Sequence, residues 1–356
     1  MKIAIVGGGI GGLTAAALLH EQDHEIHVFE QQDEIKEIGA GIGIGGNVLD
    51  KLGNHDMAKG IKNAGQVIKE MEILDDKGHV LNKAVMKKGT VNLTLPRQAL
   101  LDVIASYVPK ELIHTGTKIV KLVQNSSKVT LTTAQGDTHY FDLCIGADGV
   151  HSIIRGQVNP KATVNYQGYT CFRGMVDDVT LNDPHTAKEF WGAKGRVGIV
   201  PMLNNQAYWF IAVNAKENDP KFKEFTKPYI QAYYNNYPNE VRRILDQQSE
   251  TGILHHNIYD LTPLQSFVYG RTLLLGDAAH ATTPNMGQGA GQAMEDAIVL
   301  ANCLNTYDFR EALARYDALR VKHTAKVIKR SRSIGKKAQY QNGLMIGLRN
   351  FVLKRT

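Results

Sequence analysis

The glycine-rich segment Gly7–Gly12 limits the possible folds more than any other part of the chain. It has the spacing GxGxxG, follows the apolar run Lys2–Val6, and opens a stretch with helical spacing that reaches Gln22. A second apolar run, Ile26–Phe29, ends in Glu30. A strand, a tight glycine turn, a helix and a second strand with an acid at its end form the βαβ unit that binds a dinucleotide. We therefore predict a Rossmann-type domain at the start of the chain.

The glycines of this turn have separate tasks in a dinucleotide site. Gly7 permits the tight turn, Gly9 lets the backbone approach a pyrophosphate, and Gly12 lets the helix pack closely on the strand. Gly11 lies at the helix start, where free N–H groups and the positive end of the helix dipole attract phosphates. Glu30 accepts hydrogen bonds from both ribose hydroxyls and disfavours a 2′-phosphate. The alternative is a glycine-rich turn without a ligand.

A second string of the same spacing, Gly41–Gly46, is interpreted differently. No apolar run leads into it, because residues 37–40 read Glu-Ile-Gly-Ala. A dinucleotide turn needs a strand before it. We therefore predict a flexible loop near the bound cofactor instead of a second dinucleotide site, with Gly43 as a cofactor contact.

Two later apolar runs also end at an aspartate beside a glycine. The segment Cys144–Gly149 ends in Asp-Gly before a helix, and Arg271–Asp277 ends in Gly-Asp. With the first glycine turn, and in this order, they resemble the three fingerprints of the group A, single-component FAD-dependent aromatic-ring monooxygenases, which have the para-hydroxybenzoate hydroxylase fold. The resemblance runs from end to end. It implies an α/β fold: a Rossmann-type FAD-binding domain interleaved with an antiparallel-sheet substrate domain, and C-terminal helices.

The resemblance assigns roles to several polar residues around a non-covalently bound FAD. Asp277 hydrogen-bonds the ribityl chain, and Gly276 gives the backbone room beside it. Arg97 lies near the FAD phosphates or the ribityl chain. Asp148 and Arg155 brace the fold around the cofactor and help a nicotinamide donor to dock. For the two arginines, a plain surface salt bridge is the alternative.

The segment Pro284–Gly289 implies a contact with the flavin ring. In the family it passes the pyrimidine edge, so Pro284 is a predicted contact. Free N–H groups of Gly287, Gln288 and Gly289 at a helix start would stabilise negative charge on the reduced flavin. His280 is interpreted as a hydrogen-bonded structural residue in preference to a proton shuttle.

The prediction of substrate-binding residues depends on two predicted neighbouring strands, 195–201 and 206–210. Their context resembles the urate hydroxylases, in which an arginine and a tyrosine at the positions of Arg196 and Tyr208 contact the substrate. An arginine binds an oxygen-rich or anionic ring, and a tyrosine orients the ring or relays a proton; a core aromatic is the alternative for Tyr208. Asn285 occupies the position at which those enzymes carry an acid. The sequence around it is instead closer to that of the wider family, including the salicylate hydroxylases. The substrate therefore stays open.

The activity that the resemblance implies is NAD(P)H-dependent oxygenation. NADH or NADPH binds transiently and reduces FAD, the reduced flavin captures O2 as a C4a-hydroperoxide, and one oxygen atom passes to a small aromatic or heteroaromatic substrate. The alternatives are an FAD-dependent dehydrogenase, reductase or halogenase of the same fold, or a non-catalytic flavin-bound redox sensor. The WxWxIP signature of the halogenases is absent from the sequence.

Changes in residue pattern along the chain predict how it is divided into domains. We assign 1–163 with 260–305 to the FAD-binding domain, 164–259 to the antiparallel substrate sheet, and 306–356 to basic C-terminal helices. From residue 310 onward there are thirteen Lys and Arg against two Asp and Glu. A solvated basic face is the plain interpretation, and attraction to nicotinamide phosphates or a lipid surface is the alternative. One helical face is predicted to pack across both domains: Tyr316, Leu319, His323, Val327, Ser331 and Ile334.

Composition excludes several other classes. The three cysteines, Cys144, Cys171 and Cys303, are scattered, which argues against a disulfide framework or a metal site and favours a reducing compartment. No apolar run is long enough to span a bilayer, and glycines interrupt the stretch that superficially resembles a signal peptide. Aromatic interleaving typical of nucleic-acid platforms is absent. We expect a cytoplasmic monomer or homodimer with a small-molecule substrate.

Overall fold

The computed structural model describes residues 1–36, 41–87 and 89–355. The strands are β1 (Lys2–Val6), β2 (Glu25–Phe29), β3 (Gly41–Ile44), β4 (Gln66–Ile68), β5 (Glu70–Asp75), β6 (Val80–Val85), β7 (Asn92–Pro96), β8 (Ile113–His114), β9 (Ile119–Gln124), β10 (Val129–Thr133), β11 (Thr138–Phe141), β12 (Leu143–Gly146), β13 (Val164–Val176), β14 (Thr186–Gly192), β15 (Gly195–Pro201), β16 (Ala207–Asn214), β17 (Leu254–Leu261), β18 (Val268–Tyr269) and β19 (Thr272–Leu274).

The helices are α1 (Ile10–His20), α2 (Gly46–Leu52), α3 (Asp56–Ala64), α4 (Arg97–Ala105), α5 (Ile153–Val158), α6 (Lys227–Tyr233), α7 (Asn239–Gln247), α8 (Asp277–His280), α9 (Gly289–Thr306), α10 (Phe309–Ala338) and α11 (Gly343–Leu353). Single 3₁₀ turns occur at Lys110–Leu112, Pro220–Glu224 and Pro284–Met286. Over the described ranges, no helix has the length and apolar character needed to cross a membrane.

A six-stranded sheet in the order β18-β19-β12-β1-β2-β8 forms the centre of the nucleotide-binding part. Strand β1 pairs in parallel with both β2 and β12, and β12 pairs in parallel with β19. Strands buried on both faces require almost continuous apolar sequence, and Ile3, Ile5, Ile145 and Leu273 are fully buried. The predicted βαβ unit and the return of the chain at β19 are confirmed.

The segment Gly41–Gly46 is not the flexible loop that the sequence predicts. Gly41–Ile44 is a strand that pairs antiparallel with β7, and α2 begins at Gly46. The alternation of glycine with Ile42 and Ile44 is the period-two pattern of a strand, and Ile44 is buried. Residues 37–40, where we predict that no strand leads into this segment, lie outside the described residues.

A seven-stranded sheet carries the substrate side, in the order β17-β13-β16-β15-β14-β5-β6. Its neighbours pair antiparallel, except that β14 and β5 are parallel. Alternate residues of β16 divide between the faces: Trp209 and Ile211 join an apolar core with residues of α6 and α7, whereas Tyr208 and Phe210 face a large cavity. Strands β5 and β6 come from the part of the chain that we assign to the FAD-binding domain.

Helix α10 joins the two parts, as expected, but through a different face. Tyr316 and Ser331 are buried, whereas Leu319 is 58% exposed and His323 is also exposed. The buried stripe instead contains two polar residues, Arg320 and Thr324. Its remaining members are Ala312, Leu313, Ile328, Gly335 and Ala338.

Candidate active site

One cavity of about 1610 Å³ lies between the nucleotide-binding sheet, the β3-β7-β4 sheet and the inner face of the seven-stranded sheet. A pocket for one ligand of drug size has roughly 300–1,000 Å³, so this cavity has room for a cofactor and a substrate together. Of the predicted site residues, Gly12 does not border it; those that do are Gly7, Gly9, Gly11, Glu30, Gly43, Arg97, Asp148, Arg196, Tyr208, Gly276, Asp277, Pro284, Gly287, Gln288 and Gly289.

The first glycine turn is shaped by contacts that leave no room for side chains. Gly7 has φ +110°, and a Cβ there would come within 2.3 Å of the Ala147 carbonyl oxygen. A Cβ on Gly12 would lie 2.0 Å from the Gly7 oxygen. At Gly9 the situation differs, because no other described atom lies within 4 Å of an added Cβ. Gly9 also begins α1 without a side-chain cap. Open space beside free helix N–H groups suits a phosphate.

Glu30 is fixed beside this turn by main-chain donors. Its Oε2 accepts the N–H of Gly8 at 2.8 Å, and its Oε1 accepts the N–H of Gln32 at 2.9 Å. The side chain borders the cavity, and each carboxylate oxygen keeps a second lone pair for a ligand hydroxyl. The acid at the end of β2 therefore lies where the sequence pattern requires it.

The second acid, Asp277, stands on a glycine turn held from behind. Gly276 has φ +61°, and its N–H donates to Asp296 Oδ2 at 2.8 Å. The exposed part of the Asp277 side chain faces the cavity, and protein atoms cover the rest of it. Burial raises the pKa of Asp277, although His280, Arg97 and Arg155 oppose the shift. Because Asp277 is exposed toward the cavity, its carboxylate oxygens are free to accept ligand hydroxyl groups.

A buried ionic cluster supports this turn. Arg320 of α10 donates to Asp296 through Nε and to Glu295 through an NH group at 3.0 Å. His280 also hydrogen-bonds Asp296, so it is the structural histidine that the sequence predicts. Burial opposes ionisation of Asp296, but His280 and Arg320 outweigh it and hold its pKa below the ordinary value. Lys51 pairs with Glu295 at 2.8 Å.

Asp148 and Arg155 act as braces. Asp148 accepts the hydroxyl of Ser152 and the N–H of Ile153 at 2.7 Å, which fixes the start of α5. Burial raises the pKa of Asp148 against these hydrogen bonds. Arg155 donates to the carbonyls of Ala278 and Val150. It is buried and does not border the cavity, so it links α5 to α8 and makes no surface salt bridge.

A slot without side chains lies where the resemblance puts the flavin ring. The turn Pro284–Met286 ends at Gly287, whose φ is +61°, and α9 starts at Gly289 without a side-chain cap. No other described atom lies within 4 Å of a Cβ placed on Gly287 or Gly289. Gly43 of β3 approaches the same turn, since a Cβ placed on it would lie 3.7 Å from the Gly287 oxygen. Beside this contact the side-chain-free backbone at Gly287 and Gly289 leaves the cavity open to a planar ring.

Arg196 is a buried cation with one donor left over. It is 1% exposed and donates from one NH group to Glu189 at 3.4 Å and from the other to Asn285. Its guanidinium carbon lies 5.4 Å from the ring centre of Phe210. Its Nε has no hydrogen-bond partner in the described part of the chain. An unpaired buried donor is costly, and because Arg196 also lines the cavity, it is the candidate residue for binding a ligand there.

The amide of Asn285 has one possible orientation. Its Nδ2 donates to the Ser331 carbonyl at 2.9 Å and to Thr283 Oγ1 at 2.8 Å, and its Oδ1 accepts from Arg196. A carbonyl only accepts and a guanidinium only donates, so the two ends cannot be exchanged. A carboxylate at 285 could not donate to Ser331. The departure from the urate hydroxylases is therefore built into the packing, and Glu189 is the acid nearest to Arg196.

Tyr208 lies on the cavity face of β16, near Arg196. Burial raises the pKa of its phenol, and the charges of Arg173 and Arg196, with a hydrogen bond from Arg173, oppose the shift only in part. The phenol is therefore neutral over the ordinary pH range. It can orient a ligand by hydrogen bonding, and the raised pKa argues against a role as a base.

Several cavity residues escape the sequence analysis. Glu189 and Trp191 lie on the cavity face of β14, and Trp191 Nε1 donates to Glu189 at 2.7 Å. Arg173 and Tyr169 lie on β13. Their alternation with core residues is the signal that could have identified them, once the inner face of each strand was known.

The cavity continues past Arg196 along the sheet into an apolar arm. Sheet order places β14, β5 and β6 successively farther from β15. Helices α10 and α11 close the other side. The apolar side chains of this arm are Ile68, Met71, Ile73, Met86, Ala187, Val200, Ile334, Met345, Leu348, Val352 and Leu353.

Comparisons with known proteins agree with this site. A family model described as FAD binding domain matches residues 1–331. An aurachin C monooxygenase/isomerase of Stigmatella aurantiaca is 31% identical over 99% of this chain and 94% of its own length. A 2-heptyl-3-hydroxy-4(1H)-quinolone synthase of Pseudomonas aeruginosa is 28% identical over 99% and 94%. The structure of Klebsiella pneumoniae HpxO with FAD and uric acid superposes with a TM-score of 0.92, at 25% identity, covering 100% and 93% of the two chains.

The residues present fit FAD. The glycine turn leaves space for a pyrophosphate, Glu30 and Asp277 offer acceptors to hydroxyl groups, and the backbone at Gly287 and Gly289 leaves the cavity open for a planar ring. The predicted fold class and cofactor are confirmed by these findings together. The chain belongs to the FAD-dependent monooxygenases that act on aromatic and heteroaromatic compounds.

Proposed function

We propose that this enzyme uses a reduced nicotinamide nucleotide and O2 to place one oxygen atom on an aromatic or heteroaromatic ring that carries an apolar chain. The ring binds against Arg196 beside the flavin slot, and the chain lies in the apolar arm. The observation that carries the proposal is the single cavity in which the unpartnered Nε of buried Arg196 stands between the flavin slot and the arm.

The FAD would be held by residues at three places. Free N–H groups at the start of α1 would receive the pyrophosphate, and Glu30 the adenosine ribose. Asp277 would receive ribityl hydroxyls. The N–H groups of Gly287, Gln288 and Gly289 would face the ring edge that becomes negative on reduction. When bound, FAD supplies electron transfer from the nicotinamide and activation of O2.

The protein's own groups would hold the substrate ring in a reactive form. Arg196 brings a guanidinium next to the ring; it is paired with Glu189 at 3.4 Å, and Asn285 adds no second negative charge beside it. A cation at this place favours a ring whose hydroxyl, keto or ring N–H group has lost a proton. Loss of that proton makes the ring more electron-rich and more reactive toward an electrophilic oxygen. Tyr208, neutral and hydrogen-bonded to Arg173, would orient the ring.

The apolar arm supports a substrate with a hydrophobic chain. Removing apolar surface from water stabilises binding by roughly 25 cal/mol per Å², which an arm of this composition would provide. One relative fits this expectation by name, because it makes a quinolone with a heptyl group.

The test is a turnover screen of FAD-loaded enzyme with isotopically labelled O2. NADH or NADPH oxidation is followed with 4-quinolones that carry methyl or heptyl groups, and with salicylates and purines. We expect one labelled oxygen atom in a quinolone product and a lower KM for the heptyl compound. Ala187→Phe, which fills the arm, should raise the KM of the heptyl compound and leave that of the methyl compound nearly unchanged. Nicotinamide oxidation that yields only hydrogen peroxide with every compound would contradict the proposal.

A further inference from the structure

Helix α11 exposes an apolar face to solvent. Leu344 is 85% exposed, Leu348 60% and Phe351 56%. Met345 and Val352 are also exposed, and the spacing of these five residues puts them on one side of the helix. No charged residue lies within this face. Isolated exposed apolar residues are ordinary, but a contiguous patch marks an interaction site.

The exposure of this face follows from the way α11 is attached. Arg349, outside the apolar face, is buried and donates to the Lys337 and Ala338 carbonyls at the end of α10 and to the Trp191 carbonyl at 3.2 Å. One turn further along α11, Asn82 of β6 donates to the Leu353 carbonyl at 3.3 Å. These contacts anchor the C-terminal half of the helix and leave Leu344 and Phe351 exposed.

Cations are concentrated in the part of the chain that carries this face. From residue 318 to the end, the sequence has eleven Lys and Arg and no Asp or Glu. Lys336, Lys337 and Lys354 are exposed next to α11 in the sequence, and the Arg355 guanidinium lies 3.3 Å from the ring centre of Phe351. An apolar face bordered by cations matches the chemistry of an anionic lipid surface, in which acyl chains lie below phosphates.

The apolar face is continuous with the active-site cavity. Met345, Leu348 and Val352 are exposed and also line the apolar arm. One edge of α11 therefore forms the mouth of the arm, and the other edge is free to contact a surface. A hydrophobic molecule dissolved in a lipid layer could pass along this edge without crossing water.

We propose that α11 docks on the surface of a membrane that contains anionic lipids and that the mouth of the apolar arm then opens onto the lipid. This goes beyond the proposed reaction. A second copy of the chain is a poorer occupant, because two faces with the same basic border would repel each other. The helix is too short to span a bilayer, so it lies in the interface.

Vesicle flotation of the FAD-loaded full chain tests the proposal. Vesicles of phosphatidylcholine alone are compared with vesicles that also contain phosphatidylglycerol, at low and high salt. We expect binding to the anionic vesicles, weakened by salt. Leu344→Ser with Phe351→Ser should reduce binding at least about tenfold. Lys354→Gln with Arg355→Gln should reduce it about thirtyfold, and this pair gives a second reading if the serine pair folds poorly.

The matched control replaces exposed apolar residues elsewhere. Val123→Ser with Tyr140→Ser removes side chains that are 53% and 62% exposed on the β9-β10-β11 sheet, and its vesicle binding should equal that of the wild type. Failure of the wild type to float with anionic vesicles, or equal binding by all variants, would overturn the proposal. So would a dimer in solution that Leu344→Ser with Phe351→Ser dissociates while vesicle binding is absent. Flotation needs no turnover, so its outcome is independent of the substrate screen.

Discussion

At the scale of single residues, Gly9 and Gly12 of the same turn should respond differently to a methyl group. Gly12→Ala places a Cβ 2.0 Å from a main-chain oxygen, so it should destabilise the ligand-free protein. Gly9 has φ −78°, which alanine adopts freely, and its Cβ would enter open space. Gly9→Ala should therefore keep the melting temperature of the ligand-free protein and weaken FAD binding at least about tenfold.

Calorimetry of the two ligand-free variants and fluorescence titration with FAD provide the measurement. Equal FAD affinity of Gly9→Ala and the wild type would show that the space beside Gly9 is not where the pyrophosphate binds.

Arg196 should affect substrate binding far more than FAD binding. Arg196→Gln removes a charged donor at the substrate side, which is worth about 1.5–3 kcal/mol for one hydrogen bond. We expect kcat/KM to fall about tenfold to a hundredfold while the FAD content stays unchanged. Arg196→Lys keeps the charge and should lose less. Steady-state kinetics with the best substrate of the screen, and the absorbance ratio of flavin to protein, distinguish this result from misfolding, in which both quantities fall.

Residue roles were predictable where a short motif dictates them. The places of Gly12 and Glu30 follow from contacts with the turn itself, within about thirty residues of sequence, and the structure reproduces them. The orientation of Asn285 was not predictable, because it depends on Arg196 of one sheet and Ser331 of a distant helix. Arg173 and Glu189 belong to the same class, since only the assembled sheet tells which face of a strand is the inner one.

At the scale of elements, the contact between α9 and α10 should depend on Arg320. Arg320→Ala removes from buried Asp296 and Glu295 the counter-charge that they share, and loss of one partner of a buried ion pair costs about 3–5 kcal/mol. The control is Arg315→Ala on the same helix, whose exposed pair with Glu311 should contribute nothing measurable. Urea unfolding gives both values. Similar midpoints for the two variants would show that the buried cluster does not hold α10.

The same cluster should give the protein an acid-sensitive contribution to stability. The pKa of Asp296 is lowered in the folded state, so its contribution is complete above the unfolded pKa of about 3.9 and is lost as pH falls through the lower, folded value. The difference in unfolding free energy between the wild type and Asp296→Asn should therefore be largest near neutral pH and shrink below about pH 4. A difference that stays constant over this range would contradict the assignment.

Helices and strands were predictable where the apolar residues follow one clear period, either that of a helix or that of a strand. The βαβ unit and the strand predicted at 195–201 agree with the sequence analysis, and the chain after residue 306 is helical as expected. The buried face of α10 was predicted correctly at Tyr316 and Ser331 but wrongly at Leu319 and His323, because an apolar pattern passes over Arg320, a charge whose partners lie on α9. The strand at Gly41–Ile44 was missed because its glycines resemble a loop.

At the scale of the whole molecule, α10 should be needed for folding and α11 should not. Arg332 of α10 pairs with Asp260 of β17, while Ser331 bonds Thr283 of the nucleotide-binding part. A chain ending at Thr306 should give little folded protein, and one ending at Asn342 should keep its FAD content. Soluble yield, flavin absorbance and melting temperature are the readouts. A chain ending at Thr306 with unchanged FAD content and melting temperature would disprove the role of α10.

The least predictable feature was that the FAD-binding part, the seven-stranded sheet and the C-terminal helices all line one cavity. Resemblance to a family supplied the fold, and the motifs supplied the cofactor end. The apolar arm brings together β5, β14 and α11, which are more than a hundred residues apart, and no local pattern announces that they meet. Contacts between distant segments of the chain form such a site, and a short stretch of sequence does not reveal them.

The seven-stranded sheet has a practical consequence for anyone who wishes to exchange substrate preference between relatives. A chimaera that replaces only 164–259 would bring new β14 and β15 but keep the old β5 and β6, so the walls of the apolar arm would come from two parents. The hydrogen-bonded seam between β14 and β5 would also join strands that never evolved together. Transplantation should therefore move 66–86, 164–261 and 307–355 as one set, leaving the glycine turns of the recipient untouched.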